Sequence, residues 1–107
     1  MTTTLSYPIR LRASFDGKSC LVKALLTHPM ENGFGKTPDG QLIAPHFITQ
    51  IDLFLNGELV SSIQTGSGVA ADPLFGWRIR HAKPGDKVRI QWTDNQTQTQ
   101  TAETTVQ

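Results

Sequence analysis

Cys20 is the only thiol in this 107-residue chain. A thiol acts as a nucleophile or sulfur carrier only when it is exposed and a positive neighbour lowers its pKa. Cys20 instead falls in phase with Val22, Ala24 and Leu26 on an alternating segment, where a cysteine packs as a small apolar core group. His28, His46 and His81, together with Met30, offer imidazole and thioether groups, a donor set that suits copper. Only His28 and Met30 are close in sequence, and no spacing matches a recurrent metal motif. The expectation is therefore histidines that are solvent-exposed or structure loops, with no metal site, and a copper-binding domain kept as the alternative. Asp16, Glu31, Asp39, Asp72 and Asp94 all fall in predicted turns, where such residues hydrogen-bond backbone, so no catalytic carboxylate pair can be argued. Gly66-Ser67-Gly68 reads as a flexible loop. There is no Gly-x-Ser-x-Gly elbow and no phosphate loop. The chain is expected not to be an enzyme, and nothing in it calls for a cofactor.

The elements around these residues follow a period of two. Pro8–Ser14 places Ile9, Leu11 and Ala13 on one face and Arg10 and Arg12 on the other. After an Asp16-Gly17 turn, Ser19–His28 is a second strand with a wholly apolar face. Pro29–Pro45 breaks the pattern with prolines, glycines and an Asp39-Gly40 turn, and connections of that length are usually functional. Alternation resumes at His46, with Phe47, Thr49, Ile51, Leu53 and Leu55 assigned to one face. Asn56-Gly57 is the strongest hairpin signal, since both central residues of a type I′ turn need positive φ. Glu58–Gln64, Leu74–His81, Lys87–Thr93 and Thr97–Val106 complete the strands. With no convincing helix and no internal repeat, the pattern predicts one domain, residues 1–107. Its fold is an all-β, immunoglobulin-like antiparallel sandwich of about seven strands.

Composition narrows the function classes. Ten Lys and Arg against nine Asp and Glu leave a net charge of +1, which gives no electrostatic reason to expect nucleic acid. Only 18% of residues are charged, too few for a charged helical bundle. No apolar run is long enough to span a membrane. The N-terminal residues lack the basic and apolar regions of a signal peptide, so none is expected.

What favours a protein partner is a set of apolar residues on otherwise polar faces. Leu21, Leu25, Ile48 and Phe54 fall there, and clustered apolar residues on an outer surface mark an interface. A stand-alone recognition module is the competing reading of the same surface.

One segment carries a resemblance. His28-Pro29-Met30-Glu31-Asn32-Gly33 is followed by Asp39-Gly40 and Ile43-Ala44-Pro45-His46-Phe47-Ile48. Phe54-x-Asn56-Gly57, Asp72-Pro73 and Trp92-x-Asp94-Asn95 come next in order. Together they resemble the SoxZ family over about Ile9 to Val106. That resemblance implies a non-catalytic subunit paired with a SoxY-like carrier. The carrier's C-terminal Gly-Gly-Cys-Gly-Gly arm holds the sulfur adduct and presents it to other thiosulfate-oxidising enzymes. It also implies a periplasmic location reached by export with the partner. The carrier arm has no counterpart here, and Cys20 does not match the carrier cysteine in position or context. Under this reading Leu21, Leu25 and Phe54 contribute to the partner contact. The loop His28, Pro29, Met30, Glu31, with Asp72 and Pro73, shapes the surface near the partner's arm or its enzymes.

Overall fold

A computed structural model describes residues 7–107. Residues 1–6, which bear on the signal-peptide expectation, lie outside the described residues. Seven strands follow in chain order: β1 (Ile9–Phe15), β2 (Cys20–Leu26), β3 (Ile48–Leu55), β4 (Glu58–Gln64), β5 (Leu74–Ile79), β6 (Lys87–Asp94) and β7 (Thr99–Thr105). They form a three-stranded sheet, β1-β2-β5, and a four-stranded sheet, β4-β3-β6-β7, with every neighbouring pair antiparallel. The sequence expected this all-β sandwich, and its strand order is of the immunoglobulin-like kind with the fourth strand beside the third. Among the described residues no helix is long and apolar enough to cross a membrane.

The period-two pattern sorts residues between core and surface. Cys20, Val22, Ala24 and Leu26 of β2 face Ile51, Leu53, Val88, Ile90 and Trp92 of the second sheet across an apolar interior. Burying side chains of this size contributes roughly 1.5–3 kcal/mol each, the main driving force for the two layers to pack. The β3–β4 hairpin turns on Asn56 (φ 50°) and Gly57 (φ 87°), both left-handed as a type I′ turn requires.

Two β-bulges interrupt the sheet around β3, and the first corrects the expected phase of that strand. The register against β6 shifts between Ile48 and Gln50, so Thr49 is an extra residue, its Oγ donating to the Thr93 carbonyl at 3.1 Å. An extra residue flips every side chain before it to the opposite face. Ile48, expected on the outer face, is consequently buried in the core. The second bulge lies on β4, where Leu53 pairs with Ser61 but Phe54 pairs with Leu59.

The nearly apolar-free last strand avoids being a loose edge because the chain end crosses between sheets. Val106 is buried, and Gln107 is stitched to β1 through Phe15 N–H to the Gln107 carbonyl and Gln107 N–H to the Ala13 carbonyl, both at 3.1 Å. The sandwich is thereby closed along the β1–β7 side.

Candidate functional site at the loop end

Strand β2 ends, β3 begins, β5 begins and β6 ends at one pole of the sandwich. There the chain places a buried carboxylate between two imidazoles. Continuing β6 inward from Val88, Ile90 and Trp92, the next inward position is Asp94, and it is buried. Continuing β2 inward from Leu26, the next is His28, also buried. Nε2 of His28 lies 3.1 Å from Asp94 Oδ2, and Nε2 of His46 lies 2.7 Å from the same oxygen. The other carboxylate oxygen, Oδ1, accepts the backbone N–H groups of Gln96 (3.0 Å) and Gln98 (2.9 Å). Asp94 thus accepts four hydrogen bonds and caps the β6–β7 turn.

Proton positions follow from the partners. His28 Nδ1 accepts the Met30 backbone N–H at 3.1 Å, so the ring's single proton sits on Nε2 and is donated to Asp94. His46 Nε2 faces two oxygen acceptors, Asp94 Oδ2 and Gln98 Oε1 at 3.1 Å, and therefore donates as well. Burial pushes the His28 pKa below its ordinary value, and His46 nearby adds to this, while the hydrogen bond to Asp94 opposes it. For Asp94, burial pushes upward, but the donors from His28, Gln98, His46 and Gln96 outweigh it and hold the carboxyl below its ordinary value. The site at neutral pH is therefore one carboxylate and a neutral His28.

The surroundings lock this arrangement. The His28 ring meets His46 edge-on (4.6 Å between centroids) and Trp92 edge-on (5.0 Å), and Tyr7 packs over both imidazoles. Glu31 and His46 exchange backbone hydrogen bonds at 2.7 and 2.9 Å. Asn95, next to Asp94, donates from Nδ2 to the Pro45 carbonyl and accepts from the Phe47 N–H. From the other sheet, Asp72 Oδ1 accepts the His28 N–H (3.0 Å), and the Asp72 N–H returns to the His28 carbonyl (3.1 Å). Met30 (φ 50°) and Asp72 (φ 51°) take left-handed backbone conformations to permit these contacts, a strain that persists only where surroundings over-determine it.

Between the clamped ends, the stretch expected to be irregular is a narrow excursion with two bridges, Glu31 to His46 and Lys36 to Leu42. At Gly35 the backbone runs close to the Glu31 carboxylate, 2.8 Å from where a Cβ would stand. The excursion carries the strongly exposed Phe34 and Leu42 at this pole, two apolar groups that strand periodicity had no means of flagging.

The predicted site residues separate into groups. His28, Pro29, Met30, Glu31, Asp72 and Pro73 come together at this pole, but His28 and Met30 are buried and act by positioning the loop. The Met30 sulfur accepts the Ile48 N–H at 3.3 Å. His46 joins His28, whereas His81 is exposed in the turn after β5, so the grouping of three histidines with Met30 does not form. As they stand, the two Nε2–H groups both point at one oxygen. Metal ligation would require removing those protons and disrupting the Met30 bond to His28 Nδ1. Leu21 and Leu25 lie on the outer face of the three-stranded sheet, whereas Phe54 lies on the outer face of the four-stranded sheet under the Arg89 guanidinium, 4.2 Å from its ring centroid. One contact cannot use all three. Cys20 is fully buried, and burial, with Asp86 adding, pushes its thiol pKa up.

Asp94 as a buried anion was missed by the turn reading, although its phase with Val88, Ile90 and Trp92 pointed inward. Replacing it by Asn leaves amide hydrogens facing either the imidazole N–H groups or the backbone N–H groups, whichever way the amide is turned. Asp94→Asn is expected to cost about 2–4 kcal/mol in urea unfolding at pH 7. Wild-type stability should be flat from about pH 8 down to about pH 6.5 and fall below it, because unfolded His28 takes up a proton that the folded site resists. It should fall further below about pH 4 as Asp94 is protonated. Asp94→Asn should keep the first limb and weaken the second, to which Asp16, Asp39 and Asp86 also contribute. A wild-type curve unchanged between pH 8 and 5 would contradict a buried neutral His28.

Comparison with known proteins places this chain in a family. A comparison with curated proteins finds no match. The family described as sulphur oxidation protein SoxZ matches residues 9–105, from the first residue of β1 to the last of β7. The chain belongs to the SoxZ family of sulphur oxidation proteins.

Proposed function

We propose that this chain is the non-catalytic partner of a heterodimeric sulfur carrier. In that pair a SoxY-like subunit bears the reactive cysteine on a C-terminal Gly-Gly-Cys-Gly-Gly arm, and this sandwich is its rigid base. The observation that carries the reading is the burial of Cys20. The chain's only thiol is sealed in the core with its pKa raised, so covalent sulfur has to sit on another chain. Family membership supplies the sulfur chemistry, and the clamped loop pole supplies a preorganised surface that several enzymes of thiosulfate oxidation can share. The reading places the pair in the periplasm, exported together.

The two outer faces are unequal candidates for the permanent contact. Stable interface cores exclude unpaired charge. The four-stranded face offers Leu59, 56% exposed, beside Phe54, and the neighbouring Asp52 and Arg89 side chains make contacts within the face. Asp52 accepts from Gln50 and Ser62, while the Arg89 guanidinium stacks on Phe54. The partner is accordingly assigned to this face, and Leu21 and Leu25 are left outside the contact.

Two experiments follow. Co-expressed with a carrier ending in Gly-Gly-Cys-Gly-Gly in a thiosulfate-oxidising host, the chain should purify as a one-to-one pair. Intact-mass spectrometry should find sulfur adducts on the carrier alone; a chain that purifies by itself, or carries the adduct on Cys20, refutes the reading. By calorimetry, Leu59→Asp should weaken pairing at least about tenfold, or 1.4 kcal/mol, and Leu25→Asp by less than about twofold. The reverse order would move the contact to the other sheet.

A further inference from the structure

The near-neutral total charge hides an uneven distribution. Strands β1, β2 and β5 contain no Asp or Glu. Their outward positions carry Arg10, Arg12, Lys23 and Arg78, and Arg80 follows directly after β5, so half of the chain's ten Lys and Arg residues belong to this one sheet. Arg78 has a counter-ion, Asp16 in the β1–β2 turn at 3.3 Å. Among the described residues no ion pair is formed by Arg10, Arg12 or Lys23. Arg12 and Lys23 stand directly opposite one another in the β1–β2 register, an arrangement that opposes pairing of the strands.

The same face holds an apolar step. Leu25 (37% exposed) pairs with Leu74 (65% exposed), and Arg10 lies opposite Leu25 on the other side, so a basic rim borders two adjacent leucines. These residues, with Arg12 and Lys23, line an open groove. Next to Lys23, Gly76 leaves the face without a side chain, so an extended segment or a protruding side chain can approach the sheet closely.

We propose that the outer face of the β1-β2-β5 sheet docks an acidic protein surface, one whose carboxylates meet Arg10, Arg12 and Lys23 and whose apolar side chains cover Leu25 and Leu74. Charge complementarity selects an anionic partner. The leucine pair favours protein over a phosphate backbone, because interfaces with nucleic acid are more polar than those between proteins. The face is opposite to the one assigned to the carrier subunit. It therefore suits a second, transient partner whose encounter is steered by charge and weakened by salt. This inference does not depend on the carrier pairing and can stand if that pairing fails.

The test uses the full chain and a fluorescent poly-L-glutamate probe, with a short DNA duplex and phosphatidylglycerol vesicles as comparisons. Poly-L-glutamate should bind, and raising salt from about 50 to 200 mM should weaken it at least about tenfold. The double substitution Arg12→Gln, Lys23→Gln should weaken it by a similar factor, while Lys83→Gln, Lys87→Gln at the far pole should leave it unchanged. Because all four residues are exposed, the variants should keep the wild-type tryptophan emission, and Leu74→Ser should also weaken binding. The proposal is overturned by three results: no binding of poly-L-glutamate, binding indifferent to the Arg12 and Lys23 changes, or tighter binding of DNA or vesicles that those changes abolish.

Discussion

Everything at the loop pole depends on one buried anion. Asp94 is taken out of water, which is costly for a carboxylate, and only a complete set of donors makes that tolerable. Four N–H groups supply it, from the end of β2, the start of β3 and the β6–β7 turn. Because those donors come from both sheets, satisfying the carboxylate also fixes how the two layers meet at this end. Asp72 and Asn95 extend the clamp to the β5 entry and to Pro45 and Phe47. The excursion from Met30 to Pro45 is then held at its base and projects Phe34 and Leu42 outward.

A chain built this way separates its tasks. The core holds the only cysteine where it cannot react, the pole holds a loop in one geometry, and the two outer faces differ in charge. One face presents Phe54 and Leu59, with the Arg89 guanidinium stacked on the Phe54 ring. The other carries unpaired cations around Leu25 and Leu74. In the proposed role, a partner subunit that holds a carrier and meets other enzymes benefits from surfaces that do not compete for the same side chains.

Much of the fold was legible because strand periodicity reports burial directly. The faces of β1, β2, β5 and β6 and the Asn56-Gly57 hairpin follow from residue order alone. The bulge at Thr49 was not legible, since an extra residue changes the phase without changing composition, and Ile48 was misplaced for that reason. The site was half legible. His28 and Asp94 each continue the inward phase of their strands, but both lie just past the strands' apolar runs. There, turn preference and strand phase give opposite answers. That the two residues meet is a property of sheet packing, which no local pattern carries. Likewise, the separation of Leu25 from Phe54 onto opposite faces, and the gathering of five cations onto one sheet, appear only once strand order is known.

The central claim is that Asp94 is held by the Nε2–H groups of His28 and His46, with His28 a neutral imidazole. A long-range nitrogen–proton NMR spectrum of the histidine rings at neutral pH tests it most directly. The account predicts that His28 carries its proton on Nε2, slow to exchange with water, with Nδ1 bare and hydrogen-bonded to the Met30 amide. A His28 ring protonated on Nδ1, or one exchanging as fast as the exposed His81, would contradict it.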